Sequence, residues 1–156
     1  MQYPEREIAL ISMTTGLAVS EICGLRWKDV NLTDTPVYCD GEVIPPHHAL
    51  VKRQPNDAHS VSPATARMRI VEIPEPLVRR LQRLRRGLQQ SESETFLLKH
   101  LGGAAVRPSD ICSRLEPIGR QAGIPWLSWP ALKRAHQTLL SDLRVQLSDE
   151  LILGVR

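Results

Sequence analysis

Aromatic side chains are scarce: two tyrosines (Tyr3 and Tyr38), one phenylalanine and three tryptophans make up 4% of the 156 residues. Any chemistry that needs a tyrosine is therefore limited to two positions, both early in the chain. The three cysteines, Cys23, Cys39 and Cys112, are odd in number and far apart and form no Cys-x-x-Cys pair. That pattern excludes a disulfide framework and argues for reduced, buried thiols. His47 and His48 lie near Cys39 in a proline-rich stretch but lack the regular ligand spacing of structural zinc sites, so no metal or other cofactor is expected. Hydrophobic runs are short and broken by charges, and the N-terminus has no basic region followed by an apolar block. No membrane span and no signal peptide are expected, and a cytoplasmic location follows. Internal repeats, a glycine-rich phosphate loop and a Ser-His-Asp spacing of catalytic type are absent too, and no small-molecule substrate is expected.

What is there suits one core. With 42% hydrophobic residues and a mean hydropathy of -0.21, the chain reads as a single domain over residues 1–156. Twenty Lys and Arg against seventeen Asp and Glu give a formal net charge of +3 and a pI near 9.0. Such a balance permits nucleic-acid binding without demanding it. The densest basic segment comprises Arg79, Arg80, Arg83, Arg85 and Arg86, interleaved with Leu77, Val78, Leu81, Leu84 and Leu88 at helical spacing. A solvated helix face explains it more simply than phosphate contact does.

Local signals give the order of elements. Tyr3 to Thr15 reads as a helix with Pro4 in its first turn, Glu5 and Glu7 at the positive end of its dipole, and Gly16 as its stop. Ser20 is positioned to cap a short second helix carrying Ile22, Leu25 and Trp27. Prolines at 36, 45, 46, 55 and 63 and Gly41 break the next stretch, leaving Val37 to Cys39 and Ala49 to Lys52 as short strands. Met68 to Ile73 is the best-defined strand, and the basic helix follows from Pro76 to Leu88. Thr95 to Leu98 reads as one apolar turn. Ser109 or Asp110 opens a helix ending near Gly123 and kinked at Pro117. Ser128 caps a helix from Trp129 to Leu143 with Leu132, Ala135, Leu139, Leu140 and Leu143 along one side, and a last short helix starts at Ser148. The class is mainly α with a small antiparallel β-sheet, α+β.

Four segments carry more than periodicity. Thr14-Thr15-Gly16-Leu17-Ala18-Val19-Ser20-Glu21 continues into Ile22-Cys23-Gly24-Leu25-Arg26-Trp27-Lys28-Asp29. Pro63-Ala64-Thr65 leads into Arg69-Ile70-Val71-Glu72-Ile73-Pro74. Leu127-Ser128-Trp129-Pro130-Ala131-Leu132-Lys133-Arg134-Ala135-His136 forms the third, and Leu151-Ile152-Leu153-Gly154-Val155 the last. Taken together they resemble the motifs of the tyrosine recombinase, or phage integrase, catalytic domain, and the similarity runs from about Arg6 to Gly154.

The resemblance implies phosphoryl transfer without a metal. A tyrosine attacks a DNA phosphate, two arginines and further donors stabilise the developing charge, and a lysine protonates the leaving oxygen. Matched position by position, the first arginine falls on Ala18, the lysine on Ala64, the histidine on Pro130, the second arginine on Lys133 and the late histidine on Val155. Only Lys133 keeps a positive charge, and an ammonium lacks the two-donor grip of a guanidinium. Lys52 upstream is an alternative for the lysine, and Arg134 a neighbour of the second arginine position. His136 reads as a half-buried packing residue near Ala135 and Leu140.

Both tyrosines precede the third motif, whereas the family's nucleophile follows it. The family's N-terminal DNA-clamping domain and C-terminal tyrosine segment are not expected here. The sequence therefore points to a recombinase-like protein of DNA recombination and integration, catalytically inactive, with residual binding to double-stranded DNA through Arg67, Arg69, Lys133 and Arg134. Weak, sequence-independent affinity of about 10⁻⁴–10⁻⁶ M is expected. The alternative is a protein-docking module that packs against an active recombinase protomer. Burial of Trp129 and of Leu151 to Leu153 would indicate a self-sufficient domain, and their exposure a partner surface.

Overall fold

The computed structural model describes residues 3–52, 68–87 and 93–153. Among them are five α-helices, α1 (Glu5–Thr15), α2 (Val19–Gly24), α3 (Glu75–Gly87), α4 (Pro108–Gln121) and α5 (Trp129–Leu153), and five strands in two small sheets, β1 (Val30–Asn31), β2 (Val37–Cys39), β3 (Glu42–Ile44), β4 (His48–Val51) and β5 (Arg69–Glu72). The expected mainly α fold with a small antiparallel sheet is what forms. β4 is the central strand, pairing antiparallel with β1 on one edge and β5 on the other. β2 and β3 make a separate hairpin whose turn residues Asp40 and Gly41 both have positive φ, at 49° and 87°. That is the conformation a two-residue hairpin turn needs to match the strand twist.

The main core gathers Ile8, Leu17, Ile22, Trp27, Leu81 and Ile111, each at most 2% exposed. Full burial of such side chains stabilises by roughly 1.5–3 kcal/mol apiece. A smaller cluster of Ala9, Leu115 and Leu132 closes α1 against α4 and α5, and a third, of Cys39, Ile44 and Leu50, seats the hairpin on β4. Residues 93–98 run beside the end of α2: Leu97 N–H donates to the Leu25 carbonyl at 2.8 Å and Trp27 N–H to the Thr95 carbonyl at 3.0 Å. No helix among the described residues is long and apolar enough to cross a membrane.

Several boundaries differ from the sequence reading, each for an identifiable reason. The second helix starts at Val19, not after Ser20, because the Glu21 carboxylate accepts the Ala18 N–H at 2.8 Å and does the capping from inside the helix. The α4 helix starts at Pro108, whose missing N–H is tolerated in a first turn. Thr95 to Leu98 is not a single turn; Phe96 forms an isolated antiparallel bridge to Arg26 while Leu97 and Leu98 are buried. Ser148 does not begin a new helix, since nothing between Leu143 and Leu147 breaks α5, which runs unbroken to Leu153. Leu139 and Leu140 are 52% and 44% exposed, so among the described side chains the expected apolar stripe of α5 is buried only at its start.

Candidate functional site

The first motif folds as a helix stop followed by a helix start. Gly16 takes φ +71°, closing α1 with its N–H on the Ser12 carbonyl, while the buried Ser12 hydroxyl donates to the Leu17 carbonyl at 2.9 Å. Buried Leu17 and Val19 pin the chain on either side of half-buried Ala18. The third motif starts α5: Ser128 Oγ accepts the Ala131 N–H at 3.3 Å, Pro130 occupies the first turn, and buried Leu132 anchors the helix. Trp129 packs partly buried against both helical cores, with its indole N–H enclosed and without a hydrogen-bond partner among the described residues.

These distant segments meet at one groove of about 660 Å³, lined among others by Val19, Ser20, Cys112, Trp126, Trp129 and Pro130. Its lining is apolar where the resemblance implies an arginine and a histidine nearby, at positions 18 and 130. Lys133 and Arg134 are exposed in the next turn of α5, with no ion pair among the described residues. His136 does not face that groove's chemistry. Its Nδ1 donates to the Met13 carbonyl at 3.0 Å, and its ring lies against Gly16, where an added Cβ would meet Cδ2 at 2.7 Å. It is the joint between α1 and α5, in line with the packing role expected for it, though its partner is backbone of α1.

The other cations of the region are neutralised from within the chain. Arg69 donates to Glu21 at 2.6 Å, so one carboxylate both caps α2 and holds a predicted DNA contact. Lys52 Nζ lies 2.5 Å from both the buried Asp29 and the exposed Asp40. Lys28 reaches Glu94 at 2.9 Å and Asp40 at 3.5 Å, and Arg26 reaches Glu94 at 3.1 Å while stacking over Phe96. Arg26, Lys28, Lys52, Asp29 and Glu21 line a polar cavity of about 330 Å³. Four cations thus face four carboxylates.

This pairing sets the protonation states. Burial alone would lower the Lys52 pKa, but the hydrogen bonds to Asp29 and Asp40 outweigh it and raise the value. A raised pKa disfavours proton donation, which needs a group poised near the working pH. The hydrogen bond from Lys52 holds Asp40 below its usual range, and that from Lys28 does the same for Glu94. Asp29, Cys39 and Asp40 bring three potential metal-ligand atoms within 4.8 Å, but the Lys52 ammonium already bridges the two carboxylates.

Of the residues expected to contact DNA, Lys133 and Arg134 sit together on α5, Arg69 lies on β5 tied to Glu21, and Arg67 lies outside the described residues. Ala64 and Val155 lie outside them as well. Glu94 escaped the sequence reading, since its partners lie 66 and 68 residues away. The histidines part company: His47 Nε2 contacts Asp34 at 3.1 Å and His48 Nδ1 the Pro46 carbonyl at 2.7 Å.

No family model and no curated protein sequence matches the chain. Among solved structures, XerA recombinase is similar with a TM-score of 0.59 and 21% identity, over 85% of this chain and 42% of that one. The Tn1549 transposon integrase, solved in complex with transposon right end DNA, is similar with a TM-score of 0.62 and 16% identity, over 92% of this chain and 48% of that one. The chain thus spans less than half the length of either structure. At these identities the likeness is one of architecture, and the chain has a tyrosine recombinase-like fold.

Proposed function

We propose that the chain is a recombinase-like, DNA-associated protein of DNA recombination and integration that holds duplex DNA weakly and does not cut it. The observation that carries this reading is the groove where the first and third motifs meet: Pro130 in its lining and Ala18 next to it supply no phosphate donor, while Lys133 and Arg134 stand exposed one turn along α5 without an ion pair among the described residues. Each preorganised donor lost costs about 10²–10³ in rate. Lys133 and Arg134 then serve as backbone contacts, and Arg69 and Arg67 as further ones. Glu21 competes for Arg69, which keeps affinity in the range of about 10⁻⁴–10⁻⁶ M typical of non-specific binding. A cytoplasmic protein with this fold needs no cofactor for such a role.

Anisotropy of a labelled duplex, titrated at low and moderate salt, tests binding. The expected result is salt-sensitive binding that Lys133→Gln with Arg134→Gln weakens, together with no covalent adduct on a nicked duplex. An adduct, or binding indifferent to salt, refutes the reading.

One observation favours a second reading, docking onto an active recombinase protomer: Trp126 is 72% exposed at the edge of the apolar groove. Exposed tryptophan beside a groove is characteristic of protein contact. Sedimentation of the chain mixed with an active recombinase, with and without Trp126→Ala, separates the two.

A further inference from the structure

Helix α3 carries five arginines and one glutamate. Arg79, Arg83 and Arg86 fall at i, i+4 and i+7, within about 60° of one another around the helix and along roughly 10 Å of its length. All three are exposed. Arg79 pairs with Glu75 on the same face, and Arg83 has no ion pair among the described residues.

Arg80 extends this stripe onto α1. Its Nε and a terminal nitrogen bind the two oxygens of Glu7 at 2.6 and 2.7 Å, and Arg6 reaches the same carboxylate at 3.2 Å. Glu7 is buried, with its side chain 3% exposed, so one hidden negative charge is shared by two cations whose outer faces stay in solvent. The patch of Arg6, Arg79, Arg80, Arg83 and Arg86 therefore contains five of the twenty basic residues and, with Glu7 and Glu75, two of the seventeen acidic ones. Fifteen basic and fifteen acidic residues remain, which cancel. The patch thus carries a formal charge of +3, equal in size to the formal net charge of the chain.

We propose that the outer face of α3, joined to Arg6, is a second binding surface for the phosphate backbone of duplex DNA, separate from Lys133 and Arg134 on α5. Arginine rather than lysine throughout suits phosphate, whose oxygens accept paired guanidinium donors. The face offers no large apolar side chain, since the leucines and the valine of α3 turn inward. A protein interface requires an apolar anchor at its centre, whereas a backbone-reading surface does not. The field of a concentrated patch also speeds association with a polyanion. This goes beyond the groove-based reading and fails independently of it.

The test compares the chain, R79Q/R83Q/R86Q, R79K/R83K/R86K and K133Q/R134Q by duplex anisotropy from 50 to 200 mM salt, with circular dichroism to verify folding. Three phosphate contacts contribute about 2.7 to the slope of log affinity against log salt, or about 40-fold in affinity over that range. The glutamine triple variant is expected to lose that part of the slope, the lysine triple to keep it, and the α5 pair to lose its own share additively. Binding unchanged in the glutamine triple but weakened in the α5 pair overturns this inference and leaves the groove reading standing. Absence of binding by the unaltered chain at low salt overturns both. Binding to phosphatidylserine vesicles that the glutamine triple abolishes, with duplex binding untouched, assigns the patch to a membrane surface and also overturns it.

Discussion

Gly16→Ala tests whether the first motif and the third are held together in the way described. The substitution acts twice. An alanine at φ +71° sits in the left-handed region, which costs roughly 1–2 kcal/mol for a residue with a Cβ. The new methyl would also stand 2.7 Å from Cδ2 and 3.0 Å from Nε2 of His136, so the imidazole must move and its hydrogen bond to the Met13 carbonyl weakens. Losing that bond adds about 0.5–1.5 kcal/mol, and the displaced α5 contact somewhat more. A total of about 2–4 kcal/mol is expected, lowering Tm by roughly 5–15 °C for a domain of this size. Urea denaturation of the unaltered chain, Gly16→Ala, His136→Ala and the double variant completes the cycle. With the ring gone, Gly16→Ala should cost only its backbone strain, leaving a coupling of about 1–2 kcal/mol. Equal costs in both backgrounds would show that His136 does not close the α1–α5 joint, and a cost below about 0.5 kcal/mol would refute the strained stop itself.

Arg80→Met leaves the buried Glu7 carboxylate with Arg6 alone and should cost about 2 kcal/mol at neutral pH, read by urea midpoint. Burial alone would raise the Glu7 pKa, but the hydrogen bonds from Arg80 and Arg6 outweigh it and hold the value below the usual 4.5. The stability this carboxylate contributes is therefore complete above about pH 4.5 and lost as pH falls through the depressed value; Glu7→Gln should flatten the midpoint-versus-pH curve in that window. Ala18→Arg restores a guanidinium beside the groove and should steepen the salt dependence of duplex binding by about 0.9, one phosphate's worth; an unchanged slope would mean that position 18 does not face DNA. Burial pushes the Cys23 thiol up to about 12, whereas Cys112 is exposed at the groove. Alkylation by iodoacetamide near pH 8, followed by peptide mass spectrometry, should therefore mark Cys112 first and Cys23 only after unfolding.

What the sequence revealed depended on whether the deciding interaction is local. Gly16 as a stop, Ser128 as a cap and the arginine helix rest on neighbours within a turn or two, and each is where the residues indicate. The strands β1 and β3 escaped notice because two or three residues carry no period and exist only through pairing with β4 and β2. Ser20 misled as a cap because serine is a good one, yet Glu21 reached Ala18 first. At the candidate site, the two segments that meet at the groove, Gly16 to Glu21 and Leu127 to His136, were legible as motifs. The neutralisation of Arg69, Lys52, Lys28 and Arg26 was not, since their carboxylate partners come from other turns, strands and loops.

The contact between His136 and Met13 spans 123 residues, and the cluster of Ala9, Leu115 and Leu132 draws on nearly the same separation. During synthesis the first helix therefore leaves the ribosome with an apolar flank that is not fully covered until α4 and then α5 follow. Closing so long a loop is slow relative to local helix formation. In the interval that flank is open to chaperones and to other unfinished chains, so yield in expression should respond more to changes along the Ala9, Leu115 and Leu132 seam than to the same changes on the β2–β3 hairpin.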